Sequence, residues 1–151
     1  MKTLILIRHA NALSSFEAKV QTDAERPLSD EGTQRAEQSA KQLQTLDIKP
    51  DIILSSPLLR AKQTAQILQE TLKADIRIET FLNGLYAETE VMDCLKDILK
   101  EKNTVLAVGH NPNITYLTGL LTKKIFHFSP ASFAVIDMTD EENPVLKNFG
   151  A

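Results

Sequence analysis

The chain is short of several residue types, and each shortage excludes something. It holds one cysteine, no tryptophan, five glycines and six prolines in 151 residues. The lone thiol, Cys94, has no internal partner, which rules out a small disulfide-stapled scaffold and fits a reducing cytosol. So little glycine and proline excludes collagen-like and low-complexity architectures. Long apolar runs are missing as well. Residues 3–7, with Lys2 before them and Ala10-Asn11-Ala12 after, mimic a secretion signal, but the run is too short and Arg8 and His9 interrupt it. Nothing approaches the eighteen or so apolar residues of a membrane span. The sequon Asn113-Ile114-Thr115 is therefore read as accidental. A surplus of one charge is absent too. Lys plus Arg number 17 against 20 for Asp plus Glu, a net charge of −3, so the chain lacks the broad basic footprint of a nucleic-acid binder. Any anion site has to be a local concentration of positive charge.

What is present is ordinary for a globular protein, with 42% apolar and 25% charged residues. The length favours a single domain over residues 1–151, and a chain of this size buries about 70% of its unfolded surface. Residues 3–7 (Thr-Leu-Ile-Leu-Ile) read as a strand buried on both faces. Residues 10–28 are polar and irregular and read as loop. Ser29 suits a helix N-cap, with Asp30 and Glu31 in the first turn and Ala36, Ala40, Leu43 and Leu46 at helical spacing. A second buried strand covers 51–55. Ser56-Pro57 then reads as a cap followed by proline at the first helical position, opening a helix with Leu58, Ala61, Ala65, Leu68 and Leu72 on one face. A short third strand carries Ile76 and Ile78, and residues 80–88 read as loop around Asn83-Gly84. Val91, Leu95, Ile98 and Leu99 mark another helix ending near Lys100 and Lys102. Residues 104–108 form a fourth strand that stops at Gly109-His110-Asn111-Pro112, and a helix follows to about Leu121. Strands at 133–136 and 145–149 complete the set, the last two forming an antiparallel edge hairpin. Alternating strands and helices predict a three-layer α/β/α sandwich with a mostly parallel sheet.

In such folds ligands bind beyond the carboxyl ends of the strands. The first strand ends in Arg8-His9, the second leads into a helix bearing Arg60 on its first turn, and the fourth ends in His110-Asn111. Taken singly, each has a plain structural reading: a snorkelling arginine, a satisfied histidine at a strand end, a surface charge on a helix. Two arginines and two histidines delivered to one sheet edge are costly without an anionic partner. The chemistry that calls for them is phosphoryl transfer. Arg8 and Arg60 supply forked donors for the phosphoryl oxygens. An unprotonated imidazole is a nucleophile, and neighbouring arginines lower its pKa. His9, beside Arg8, is the stronger candidate nucleophile, with His110 donating to the phosphoryl oxygens. No GxxxxGK, GxGxxG, HExxH or CxxC pattern occurs. A divalent metal on His9 and His110 is disfavoured by the adjacent arginines, so no metal or cofactor is expected. His127 reads as a structural or rim residue, Cys94 as core, and Lys123-Lys124 as a solvated charge pair.

These stretches resemble a known family. Leu6-Ile7-Arg8-His9-Ala10, Ser55-Ser56-Pro57-Leu58-Leu59-Arg60-Ala61-Lys62-Gln63-Thr64-Ala65 and Val108-Gly109-His110-Asn111-Pro112 look like the three motifs of the histidine phosphatase superfamily, the phosphoglycerate mutase-like fold, in the family's order. The short chain and Arg26-Pro27-Leu28-Ser29-Asp30-Glu31-Gly32 look most like the SixA-type phosphohistidine phosphatases. The resemblance implies that His9 is the phosphorylated nucleophile and that Arg8, Arg60 and His110 form the phosphate pocket. It also implies that Arg26 touches the protein part of a substrate; Asn111, within the third motif, and Glu88 are further candidate substrate-binding residues.

The sequence departs from the family in two places. Ala10 stands where many members have glycine, as it also does in the SixA-like branch. Gly84 falls about where mutases and many phosphomonoesterases carry a glutamate general acid. An alkoxide leaving group needs a proton from such an acid, whereas imidazole departs with less help. The expected activity is therefore removal of phosphate from phosphohistidine in a protein, with a cytoplasmic phosphoprotein as partner and neither nucleic acid nor membrane involved. The competing readings are a phosphatase of small phosphomonoesters with Glu88 as acid, and a silent phosphoprotein-binding module.

Overall fold

The computed structural model describes residues 1–150. In chain order the elements are β1 (Thr3–Arg8), a short α1 (Ser15–Ala18), α2 (Asp30–Thr45), β2 (Ile52–Ser55), α3 (Leu59–Leu72), β3 (Ile76–Ile78), α4 (Glu88–Glu101), β4 (Thr104–Gly109), α5 (Asn113–Thr122), β5 (Phe133–Asp137) and β6 (Val145–Gly150), with 3₁₀ turns at Asp23–Glu25 and Thr80–Leu82. One sheet runs in the order β3-β2-β4-β1-β5-β6. The β1–β4, β2–β4 and β2–β3 pairs are parallel; β5 and β6 add antiparallel at one edge.

Alternation along each strand builds two cores. Leu4, Leu6, Leu54, Val105 and Ala107 face α4 and α5, which contribute Val91, Leu95, Leu99, Ile114, Leu117 and Leu121. Ile5, Ile7, Ile53, Leu106 and Val108 face α2 and α3, which contribute Ala40, Leu43, Ala61, Ala65 and Leu68. Helices therefore cover both faces of the sheet in three layers, and this is why residues 3–7 have no polar alternation. Each fully buried aliphatic side chain contributes about 1.5–3 kcal/mol of transfer free energy. The exchange of faces leaves no slack for a register slip, which fixes where each strand stops.

Ser29 caps α2 as its position suggests, its hydroxyl accepting from the Gly32 N–H at 3.0 Å. The start of α3 differs from expectation. Ser56 is not its cap and Pro57 is not its first helical residue; Leu58 takes the cap position in extended conformation, with no side-chain cap. The Ser56 hydroxyl accepts from the Leu58 N–H and also bonds His110, so it holds the turn before α3 rather than the first turn of the helix. The loop readings at 10–28 and 80–88 also need correction. The first contains α1 and a 3₁₀ turn, the second a 3₁₀ turn whose Phe81 and Leu82 are buried in the core. Cys94 is only partly buried, packed against the α4–α5 side of the core.

Candidate active site

Strand order assembles the site. The chain leaves β1, skips a place to make β2, steps outward to β3 and returns to insert β4 between them. Arg8 thus pairs with Gly109, and Ser55 with Val108, so the carboxyl ends of β2, β4 and β1 lie side by side. Ser56, His110 and His9 leave those three ends. The ring centroids of His9 and His110 are 5.0 Å apart, tilted by 55°. The Asn111–Pro112 peptide, immediately after His110, is cis.

His9 is held by its main chain. Its Nδ1 lies 2.7 Å from the Ala10 carbonyl, which accepts only if the proton sits on Nδ1. Nε2 is then the unprotonated nitrogen, and it accepts from Arg60 Nε at 3.3 Å. Ala10 itself is pinned: its N–H donates to Thr64 Oγ1 at 3.1 Å, and that hydroxyl donates to the Arg60 carbonyl at 2.8 Å. Thr64 thus ties the loop after β1 to the first turns of α3, a role its place in the sequence did not announce.

Both histidines are held neutral. Burial is the main cause for His9, and the charges of Arg60, Arg8 and Arg26 add to it against the opposing hydrogen bond to Ala10; together they lower its pKa to about 4. His110 is brought down to about 3, again first by burial, then by His9, Arg60 and Arg8, with Asp23 opposing. The arginines act in the expected direction, but desolvation outweighs them.

Arg8 donates through Nη1 to the Phe128 carbonyl at 2.9 Å, and its Nε is a buried donor without a partner. Burial lowers its pKa from the ordinary arginine value. His110 keeps one bond, at 2.7 Å between Nε2 and Ser56 Oγ, and its Nδ1 is likewise buried and unpartnered. Unsatisfied buried polar atoms on a guanidinium and an imidazole at the ends of adjacent strands are what a pocket awaiting an oxyanion contains.

Arg60 shows how its own donors are divided. Its end edge is filled: Nη1 donates to the Asp23 carbonyl and Nη2 to Asp23 Oδ2, both at 2.9 Å. Its Nε edge faces His9. A planar guanidinium has five N–H groups, so with Nε donating to His9 the second Nη2 hydrogen on that same edge is left for an anion. Asp23 was not anticipated. It sits in the 3₁₀ turn of the polar loop, and its other oxygen accepts from Arg26 Nη1 at 2.9 Å. Those hydrogen bonds and charges, Arg26 first, hold its carboxyl below the usual range. Counting Arg8, Arg26 and Arg60 against Asp23, with both histidines neutral, the site carries two net positive charges. A phosphoryl dianion matches that.

The remaining predicted residues fall at the edges. Arg26 spends Nε on the Leu13 carbonyl at 2.8 Å, yet its charge still reaches His9. Asn111 is committed at both ends of its amide: Nδ2 donates to the Phe128 carbonyl, which Arg8 also uses, and Oδ1 accepts from Thr115. It braces the floor beneath Arg8. Glu88, the first residue of α4, lines a cleft with Gly84 and His110. Gly84 abuts His110, since a Cβ there would lie 3.6 Å from His110 Cβ and 3.7 Å from Cδ2; at φ +91°, position 84 disfavours any side chain. His127 is exposed. Among the described residues no three His, Cys, Asp or Glu side chains gather as a metal site, and no helix is long and apolar enough to cross a membrane.

Comparison with known proteins bears on this geometry. A sequence profile of the histidine phosphatase superfamily (branch 1) matches residues 4–87. The chain belongs to the histidine phosphatase superfamily. Its phosphoglycerate mutase-like fold is shared along nearly the whole length with the protein histidine phosphatase SixA complexed with tungstate, at TM-score 0.89 and 21% identity over 99% of this chain and 96% of that one. A candidate phosphohistidine phosphatase SixA from Agrobacterium tumefaciens superposes with TM-score 0.81 at 27% identity, over 99% and 98%. In sequence, the superfamily member is 32% identical over 93 residues to an uncharacterised phosphatase, PhoE, of Bacillus subtilis, covering 61% of this chain and 47% of that protein. Against a candidate phosphoglycerate mutase, GpmB, of an Enterobacter strain the identity is 33% over 85 residues, covering 56% of this chain and 39% of the other. The matched stretch thus spans about half or less of the length of these curated relatives.

Proposed function

We propose that this phosphatase removes phosphate from phosphohistidine in a protein, through a covalent phosphohistidine on His9. The observation that carries the reading is the Nδ1–Ala10 carbonyl bond, which leaves Nε2 unprotonated, its lone pair held only by a long hydrogen bond from Arg60 Nε, in a pocket of net charge two. That lone pair forms the new N–P bond. The P–N bond of the substrate breaks with its electron pair going to the substrate imidazole, which leaves neutral when its other nitrogen carries a proton. Water then attacks phosphorus, the N–P electrons return to His9 Nε2, and inorganic phosphate departs. Arg8 and the Nε edge of Arg60 stabilise charge on the equatorial oxygens. The bare, left-handed position at Gly84 supports a P–N substrate, because no acid stands against His110 there to protonate an alkoxide.

A second reading makes Glu88, which lines a small and mainly apolar pocket with Gly84 and His110, the general acid toward a small phosphomonoester. The choice is made by comparing turnover of a phosphohistidine peptide and a sugar phosphate by wild type and Glu88→Gln. The proposal expects the peptide to be faster and the variant to keep its rate on that substrate; faster ester hydrolysis, lost in the variant, gives the second reading. Acid-labile label from a phosphodonor on wild type and none on His9→Ala separates either enzyme from a silent phosphoprotein-binding module.

A further inference from the structure

We propose that Ser56 is a positioning residue that fixes the tautomer of His110, placing the ring's proton on Nδ1 as the donor to a phosphoryl group on His9. This rests on the reading of the pocket as a phosphoryl-transfer site and adds to it the origin of the second histidine's function.

Hydrogen bookkeeping carries the argument. Ser56 is fully buried. Its Oγ accepts from the Leu58 N–H at 3.2 Å and lies 2.7 Å from His110 Nε2; no further partner takes its proton. Two neutral arrangements exist. If Nε2 carries the proton and donates to Oγ, the hydroxyl hydrogen has no acceptor and the lone pair on Nδ1 has no donor, leaving two buried polar groups unmet. If the hydroxyl donates to Nε2, both groups are satisfied, and the one group left over is an N–H on Nδ1, the buried unpartnered atom of the ring. Buried polar groups are satisfied wherever geometry permits, so the second arrangement is preferred. The imidazolium, which would donate from both nitrogens, is suppressed by burial, which with its neighbours brings the pKa to about 3.

The leftover donor is also suitably placed. The Cβ–Cδ2 flank of His110 lies against Gly84, and Nε2 is on Ser56. The flank that remains is Nδ1–Cε1, on a ring whose centroid is 5.0 Å from that of His9. A phosphoryl group built on His9 Nε2 brings its oxygens to this region, and the Nδ1 proton stays on nitrogen as a hydrogen-bond donor throughout. The same serine joins the start of α3 to the histidine, since its hydroxyl also accepts from the N–H of Leu58, the helix's N-cap residue.

Long-range ¹H–¹⁵N correlation of the imidazole nitrogens tests this without substrate, and the spectrum has three histidines to assign. In wild type, His110 is expected as the Nδ1–H tautomer, with Nε2 unprotonated. Ser56→Ala is expected to mix the tautomers or shift the proton to Nε2 and to lower kcat about tenfold with a smaller change in KM; Ser56→Thr is expected to restore both. A wild-type His110 protonated at Nε2 overturns the proposal, as does an unchanged tautomer in Ser56→Ala. Should Ser56→Ala not fold, the wild-type spectrum decides alone. Should the chain turn over no phosphorylated substrate, the function falls while the tautomer is still read.

Discussion

The pocket has a sheet side and a loop side. On the sheet side, Arg8, His9, Ser56 and His110 leave the ends of three adjacent strands, and their anchors are main-chain carbonyls or fully buried hydroxyls. On the loop side, Asp23 and Arg26 stand on a 3₁₀ turn and the residue after it, and the Asp23 side chain is 62% exposed. Arg60 belongs to both: its Nε meets the sheet side and its end edge meets Asp23. The difference teaches that the reactive groups are preorganised by the core, whereas the outer face of the clamp depends on a carboxylate that solvent can reach. Substitutions on the sheet side should therefore cost far more than those on the loop side.

The largest effect is expected for His9→Ala, which removes the proposed nucleophile: a drop in kcat of about 10⁴-fold or more, with acid-labile labelling abolished. Arg8→Ala and Arg60→Ala come next, each losing about 2–4 kcal/mol of transition-state stabilisation, or about 30- to 10³-fold in kcat/KM. Both variants should remain folded by circular dichroism. If either unfolds, that arginine holds the structure rather than the phosphoryl group.

A pH experiment probes the sheet side as a unit. His9 is brought from an ordinary 6.5 to about 4 in the folded chain, so the unfolded state binds its proton first as pH falls. Its stabilising share is complete above pH 6.5 and is lost as pH drops towards 4, at most roughly 3 kcal/mol, with His110 acting in the same direction. Urea midpoints measured from pH 7.5 to 4.5 should fall, and His9→Gln should flatten the slope. A wild-type midpoint that does not move over that window would mean the imidazoles are solvated.

This division also explains what could be read from the sequence. Unbroken apolar runs such as 3–7 and 104–108 mark strands covered on both faces, and what leaves their ends meets at one sheet edge, so the convergence of His9, Arg60 and His110 beside Arg8 was legible. Ser56 was misread because Ser-Pro is a local helix signal, while its partner His110 is 54 residues away. Asp23 was invisible for a related reason: an acid in a polar loop shows nothing of the guanidinium it meets 37 residues later. α1 is a different case. Ser14 and Glu17 form a capping box whose Ser-x-x-Glu spacing was readable, but the helix is four residues long with no buried side chain, so no apolar periodicity drew attention to it.

The smallest effect, and the sharpest test of the comparison, is expected from Asp23→Asn. The Asp23 backbone carbonyl still receives Arg60 Nη1, so the guanidinium stays near its place, and what weakens is the pair of charge-assisted bonds from Arg60 Nη2 and Arg26 Nη1. Because the carboxylate is largely exposed, the loss should be about 1 kcal/mol or less, up to about fivefold in kcat. Removing a negative charge from the pocket mouth also strengthens attraction for a dianion, so KM for the phosphorylated substrate should fall or hold while kcat declines, and the difference should shrink as salt is raised. A loss matching that of Arg60→Ala would place Asp23 among the preorganised groups and erase the distinction between the two sides. A rise in kcat would instead mean that the carboxylate competes with phosphate for Arg60 and has to move aside before turnover.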